Sequence, residues 1–226
     1  ILSKFLQHLM SLKINSEIPN LFVQTSIGDF FLFDWLGDDW GIIFSHPKDF
    51  TPVCTTELGY LANLETKFKQ KETKIIAISV DSIEDHNKWI PEINEVNNCD
   101  VTFPIIADTS LEFSKAFEML PVEDLPSNTR TAMDNATVRV VYIVGPDKRI
   151  KAALSYPMSS GRNFDEIERL LDSCQMTAKF KVATPANWKN GDDVIIIPSI
   201  NDDEAKNLFG KWRAPKSYLR FIKDPS

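Results

Sequence analysis

From Ile18 onward, short apolar runs alternate with amphipathic stretches. Residues 40–45 (Trp-Gly-Ile-Ile-Phe-Ser) read as a buried strand that ends in a loop carrying Pro47 and Pro52. Beyond Cys54, the positions Leu58, Leu61, Leu64 and Phe68 step by three or four, as a helix with one face on a core does. Residues 74–80 form a second strand, too continuously apolar to be half exposed. A helix through Trp89 and Ile93 follows, then residues 103–106 and a short helix around 113–117. Residues 138–144 are the third strong strand, and Gly145-Pro146-Asp147 turns it back into residues 150–154. Phe164, Ile167, Leu170, Leu171 and Cys174 share one face of a further helix. This order predicts an α/β fold, with helices packed on a mixed central sheet.

Past Ala178 the pattern changes. Residues 182–185, 194–198 and 218–222 read as small strands around one helix. A tail this short seldom stabilises itself. Its Trp188, Val194, Ile195, Ile196, Ile197, Trp212, Tyr218 and Phe221 exceed what it is expected to bury alone, so it should pack on the main domain or on a second subunit. The expected division is an N-terminal extension or remnant at 1–17, a main domain at 18–177 and a small α+β extension at 178–226. Within the first segment Leu2, Phe5, Leu6 and Leu9 are helically spaced, but Lys4, Gln7 and His8 interrupt any signal-peptide core. Met10 is a candidate natural start, with a targeting role for the segment as the alternative.

Composition narrows the function. The 226 residues, 43% apolar and 25% charged, suffice for one sizeable core without disulfides or structural metal. Lys and Arg number 25 against 32 Asp and Glu, a net charge of −7. That balance argues against nucleic-acid partners and stable membrane association, since phosphate attraction needs clustered basic residues. No apolar run approaches the ~20 residues that span a bilayer. Three widely spaced cysteines without a CxxC pair, and three scattered histidines, give neither a disulfide scaffold nor a zinc site. No cofactor or metal is expected. The cysteine usage suits a reducing compartment, taken as cytoplasmic, where a cysteine is either buried filler or a reactive thiol.

The informative stretch is Ser45-His46-Pro47-Lys48-Asp49-Phe50-Thr51-Pro52-Val53-Cys54-Thr55-Thr56-Glu57. It sets Cys54 in the first turn of a helix, where unpaired backbone N–H groups and the positive dipole end stabilise an anion. Thr51 has a hydroxyl within reach of the sulfur. Position alone leaves Cys54 equally readable as a small buried hydrophobe.

Pro47, Thr51 and Cys54, in the pattern P-x-x-x-T-x-x-C, resemble the signature of the peroxiredoxins, thiol peroxidases on a thioredoxin-like fold. The stretch from Ser45 to Gly59 is similar to the one-cysteine subfamily in particular. Further matches are Trp40-Gly41-Ile42, Val80-Asp81-Ser82, Arg139-Val140-Val141, Gly145-Pro146-Asp147-Lys148, Gly161-Arg162-Asn163-Phe164-Asp165 and Val182-Ala183-Thr184-Pro185. They cover nearly the whole chain after Ile18. The resemblance implies that Cys54 is the peroxidatic cysteine and Arg139 the guanidinium beside it. A permanently charged fork of donors favours thiolate over thiol and can hold a peroxide oxygen as the O–O bond stretches. Thr51 would bond the other side of the peroxide, Pro47 would wall the pocket and Glu57 would orient the arginines. Arg162 is either a second such arginine or a surface loop charge. His46 is either a base near the sulfur, optional beside a thiolate, or a hydrogen-bonded loop histidine. His86 has only a structural reading.

Attack on peroxide leaves a sulfenic acid that another thiol must reduce. Thr184 stands where two-cysteine peroxiredoxins carry their resolving cysteine. Cys174 sits on an apolar helix stripe, as a core cysteine does, and Cys99 lies in a polar loop without a motif. A one-cysteine mechanism with an external thiol, of the glutathione or thioredoxin type, is therefore expected, and the resemblance implies a homodimer. The phospholipase activity of some subfamily members should be absent, because Asp39 and Phe33 replace its serine and histidine and leave no nucleophile or base. Two rivals stand beside this. A cysteine hydrolase with His46 as base lacks a third orienting group in the sequence. A peroxide-sensing switch or holdase chaperone would share the site but not turn over.

Overall fold

In the computed structural model, residues 12–121 and 136–226 are described. Most of the N-terminal segment read as an extension lies outside them. The described chain divides into two compact units, the first ending at Arg162 and the second running Asn163–Ser226.

The first unit opens with a two-stranded ribbon, β1 (Phe22–Val23) against β2 (Phe30–Phe31), and a single helical turn and a half, α1 (Leu32–Leu36). Its frame is a five-stranded sheet of β3 (Trp40–Ser45), β4 (Thr73–Ser79), β5 (Ile105–Ala107), β6 (Arg139–Val144) and β7 (Ile150–Tyr156), in the spatial order β5-β4-β3-β6-β7. β3 runs parallel to β4 and antiparallel to β6, so the sheet is mixed, as expected. Every residue of β3 and β6 is buried, which is why they read as continuous apolar runs. β7, at the edge, alternates in burial after its first residues, and the turn into it closes through Gly145 and Lys148, with Lys148 left-handed (φ 61°).

Between the strands come α2 (Pro52–Gln70), α3 (Ile83–Asn97) and α4 (Glu112–Ala116). α2 starts with Pro52 at its first position, where a missing N–H costs nothing, and ends among Lys67 and Lys69, matched to the negative dipole end. α3 starts at a capping box in which Ser82 and Asp85 satisfy each other's backbone N–H groups. The core gathers Leu32, Leu36, Ile43, Ile76, Ile78, Ile106, Phe113, Phe117, Val140 and Tyr142.

The second unit holds α5 (Phe164–Lys179), β8 (Val182–Ala183), β9 (Val194–Ile196), α6 (Asp202–Phe209), β10 (Arg213–Lys216) and β11 (Leu219–Ile222), its strands ordered β10-β11-β9-β8. This division groups α5 with the tail, through hydrogen bonds of Ser173 with Thr184 and of Arg169 with the Trp188 carbonyl. The tail also buries more within its own unit than its length suggested. Met176 of α5 joins Val182, Trp188, Val194, Ile196, Ile200, Ala205 and Ile222 in one cluster. Tyr218 stays exposed. Cys174 is half-buried, where a core position was expected.

Candidate active site

The chain after β3 is pinned before it enters α2. The His46 N–H donates to the Ile78 carbonyl, the Thr137 hydroxyl donates to the His46 carbonyl, and Pro47 is buried. Phe50 then takes a left-handed conformation (φ 55°) uncommon for a large side chain, and Thr51 becomes the extended N-cap of α2. The result sets Cys54 in the first turn, fully buried.

Arg139, the first residue of β6, brings Nη1 to 3.3 Å from Cys54 Sγ. The same nitrogen donates to Glu57 Oε2 at 2.7 Å, and Nε donates to the Met158 carbonyl at 2.8 Å. Glu57 lies one turn beyond Cys54, so helix geometry places both on one face of α2. Its carboxylate also receives Arg162 through the backbone N–H (2.8 Å), Nε (3.1 Å) and Nη2 (2.6 Å). Arg162 Nη1 donates to the Ser45 carbonyl at 2.7 Å, and its guanidinium lies 4.8 Å from the Phe44 ring centroid. Arg162 is therefore part of this cluster rather than a surface charge. Burial pushes its acidity the wrong way for a cation, lowering its pKa against the opposing pull of Glu57. Two guanidiniums and one carboxylate leave a buried excess of one positive charge. A thiolate at Cys54 closes that balance, which a neutral thiol does not.

Thr51 is placed beside the cysteine, but its hydroxyl donates to the Lys48 carbonyl at 2.9 Å. Its oxygen lone pairs are what remain for a peroxide O–H. His46 is buried and hydrogen-bonded: Nε2 meets Asp49 Oδ1 at 2.8 Å. Asp49 in turn bonds His86 Nδ1 through Oδ2 at 2.6 Å, and His86 Nε2 meets the Ile106 carbonyl at 3.2 Å. Sequence reasoning missed Asp49 and gave His86 no role beyond structure. The available signals were the His-x-x-Asp spacing of residues 46 and 49, and the capping box that starts α3 one turn before His86. Asp49 also supplies the orienting carboxylate thought missing for a histidine base. That objection to a hydrolase falls, but the polar partner found at Cys54 Sγ is Arg139, not His46.

Burial alone would raise the Asp49 pKa, yet the hydrogen bonds and charge of His46 and His86 outweigh it and hold it at about 2. A depressed carboxylate stabilises the fold above its unfolded value and loses that contribution as pH falls through the folded one. The window here runs from the ordinary 3.8 down to about 2. At about 1.4 kcal/mol per unit the contribution is roughly 2 kcal/mol. Acid unfolding followed by circular dichroism should therefore show Asp49→Asn less stable than wild type at pH 6, with the gap closing below pH 4. A gap that persists unchanged to pH 2 would contradict this.

Neither of the other two cysteines is in a disulfide. Cys99, just past α3, points its thiol at the Ile93 carbonyl and Asn94 Oδ1, and burial with the nearby Asp100 raises its pKa. A thiol so held is a poor nucleophile.

Comparison with known proteins agrees with this geometry. The model of the AhpC/TSA family matches residues 14–153, and that of the C-terminal domain of 1-Cys peroxiredoxin matches residues 173–211. The 1-Cys peroxiredoxin of Dictyostelium discoideum is 46% identical over 95% of this chain and 86% of its own. A cysteine-to-serine mutant of peroxiredoxin 6 from Arenicola marina superposes with a TM-score of 0.88 at 40% identity, covering 96% of this chain and all of that one. The yeast mitochondrial 1-Cys peroxiredoxin, solved for its thiol-resolving mechanism through glutathione and thioredoxin systems, gives 0.86 at 42%, covering 94% and 100%. A buried cysteine braced by arginine on a mixed thioredoxin-like sheet is the framework of a thiol peroxidase. The chain belongs to the peroxiredoxins, in their one-cysteine class.

Proposed function

We propose that Cys54 is the peroxidatic cysteine and that the enzyme reduces hydrogen peroxide and small organic hydroperoxides through it. The observation that carries this is the 3.3 Å approach of Arg139 Nη1 to the buried Cys54 sulfur, held by Glu57. The thiolate attacks the terminal peroxide oxygen, an S–O bond forms as the O–O bond breaks, and the released alkoxide or hydroxide takes up a proton as alcohol or water. Arg139 stabilises the charge that moves onto the leaving oxygen. Thr51 accepts from the peroxide O–H, and Pro47 limits water. The sulfenic acid is then reduced by an external small thiol, for which the yeast relative's glutathione and thioredoxin systems are the precedent. Mass spectrometry after one equivalent of peroxide should place the added oxygen on Cys54. Oxygen on Cys99 or Cys174 instead would overturn the assignment.

Arg139→Lys keeps the charge but not the fork. One ammonium cannot reach the Met158 carbonyl, Glu57 and the sulfur in the present geometry. Stopped-flow oxidation should be slowed about tenfold to a hundredfold; a wild-type rate would mean that another group holds the peroxide.

Two further features belong to the same reading. The enzyme works as a homodimer, supported by the outer edge of β7 past Ile150, which pairs with no strand among the described residues, and by the exposed Tyr218 of the C-terminal extension. Sedimentation should return twice 25.7 kDa; a monomer at every concentration would contradict it. It works in the cytoplasm, supported by three cysteines that form no disulfide; the yeast relative is mitochondrial. Among the described residues no helix is long and apolar enough to cross a membrane.

A further inference from the structure

His46 and His86 share one carboxylate, yet their remaining ring nitrogens differ. His86 Nε2 faces the Ile106 carbonyl, which can only accept, so this nitrogen carries a proton. His86 Nδ1 lies 2.6 Å from Asp49 Oδ2, too close for a lone pair to face a carboxylate oxygen. With Asp49 ionised, that nitrogen must carry a proton too. His46 Nε2 donates to Asp49 Oδ1, while its Nδ1 is buried and, among the described residues, has no hydrogen-bond partner.

We infer that Asp49 and His86 are positioning residues, a buried ion pair of carboxylate and imidazolium that holds His46 neutral, with its proton on Nε2 and a bare lone pair on Nδ1. The triad then has no net charge, consistent with its complete burial. Asp49 held at about 2 agrees with an ionised carboxylate. Two more carboxylates lie beside the triad, and Asp81 brings an oxygen within 4.8 Å of a His46 nitrogen and an Asp49 oxygen. Asp81 Oδ2, at the end of β4, accepts the Asp49 N–H and the Ser79 hydroxyl, both at 2.9 Å. Asp85, one residue before His86, is engaged with Ser82 at 2.7 Å. The facing ring of His46 lies 6.4 Å away, centroid to centroid. No cation other than the histidines meets Asp49 in these hydrogen bonds, so without His86 the compensating proton would fall to His46.

The consequence reaches the cysteine, and this part rests on the reading of Cys54 above. His46 follows Ser45, whose carbonyl holds Arg162, and it packs 5.3 Å from Trp89. Trp89 Nε1 donates to Thr55, the neighbour of Cys54. A neutral His46 offers this region a hydrogen-bond acceptor without adding charge to it. A cationic His46 would offer only donors and add a second excess positive charge.

The chain has three histidines, so two-bond proton–nitrogen correlation spectra of the ¹⁵N-labelled full-length protein resolve each ring at pH 7. Both nitrogens of His86 should read as protonated, and His46 as one protonated and one bare nitrogen. A neutral His86 or a doubly protonated His46 overturns the inference, whatever the peroxide kinetics. In His86→Gln, which leaves a neutral donor for Asp49, His46 should gain its second proton; a His46 that stays neutral overturns it. If that variant does not fold, Asp49→Asn serves: His86 should lose the Nδ1 proton and keep Nε2–H, and a persistent imidazolium overturns the ion pair. Loss of the peroxide reaction with these spectra intact would count against the reading of Cys54 alone.

Discussion

Cys54→Ser should consume no peroxide, while Cys99→Ser and Cys174→Ser each keep most of the wild-type rate with a small dithiol as reductant. A serine hydroxyl at this site is not ionised near neutral pH, so the S–O bond-forming step is lost rather than slowed. The fold should survive, because serine is close to isosteric and Arg139 can donate to its oxygen; the buried charge excess will cost some stability. Cys99 is held by acceptors and carries no adjacent cation in its hydrogen bonds. Cys174 is half-buried on α5. If Cys174→Ser stopped turnover with its circular dichroism unchanged, Cys174 would be a resolving thiol and the one-cysteine mechanism would fall. A single oxidation per subunit, with no cycling under added dithiol, would favour the peroxide-sensing or holdase reading over the enzyme.

What could be read from the chain depended on how locally each feature is written. β3 and β6 are buried throughout and β4 at every residue but Lys74, so their continuous apolar runs gave their positions almost to the residue. β1 and β2 have two residues each and α1 has five, too short to show a period, and all three escaped notice. The Thr51 to Glu57 part of the site lies within one helical start and was legible as a unit. Arg139 and Arg162 sit 82 and 105 positions from Glu57, and only resemblance to a family linked them to it. Arg162 in isolation is a charge next to a glycine. The neighbours that make it structural, the Ser45 carbonyl and the Phe44 ring, come from β3. His86 is 37 positions from Asp49, on a helix whose inward face is set by tertiary packing. Cys174 shows the converse error. It lies on the stripe of Ile167 and Leu171, which are buried, yet is itself half-buried: helical spacing assigns a face, not a depth.

Glu57→Gln should combine the largest loss of stability with a large loss of rate. The Glu57 carboxylate is almost fully buried and accepts four hydrogen bonds, one from Arg139 and three from Arg162. An amide replaces one acceptor oxygen by a donor NH2 group, which faces guanidinium N–H groups that can only donate. It also removes the anion between two cations, leaving the sulfur to balance them. Removing one partner from a buried ion pair costs about 3–5 kcal/mol. At about 2–4 °C per kcal/mol for a chain of this size, the melting temperature should drop by on the order of 10 °C. Measured well below that midpoint, where the variant is folded, peroxide reduction should still be slower by about a hundredfold, because Arg139 loses its anchor beside Cys54. Glu57→Asp separates the two effects. It restores the charge but shortens the reach, so it should recover more stability than activity. A Glu57→Gln protein that melts with the wild type would show that the arginines find another anion. One that melts low but turns over at the wild-type rate would show that Arg139 needs no brace to serve the sulfur.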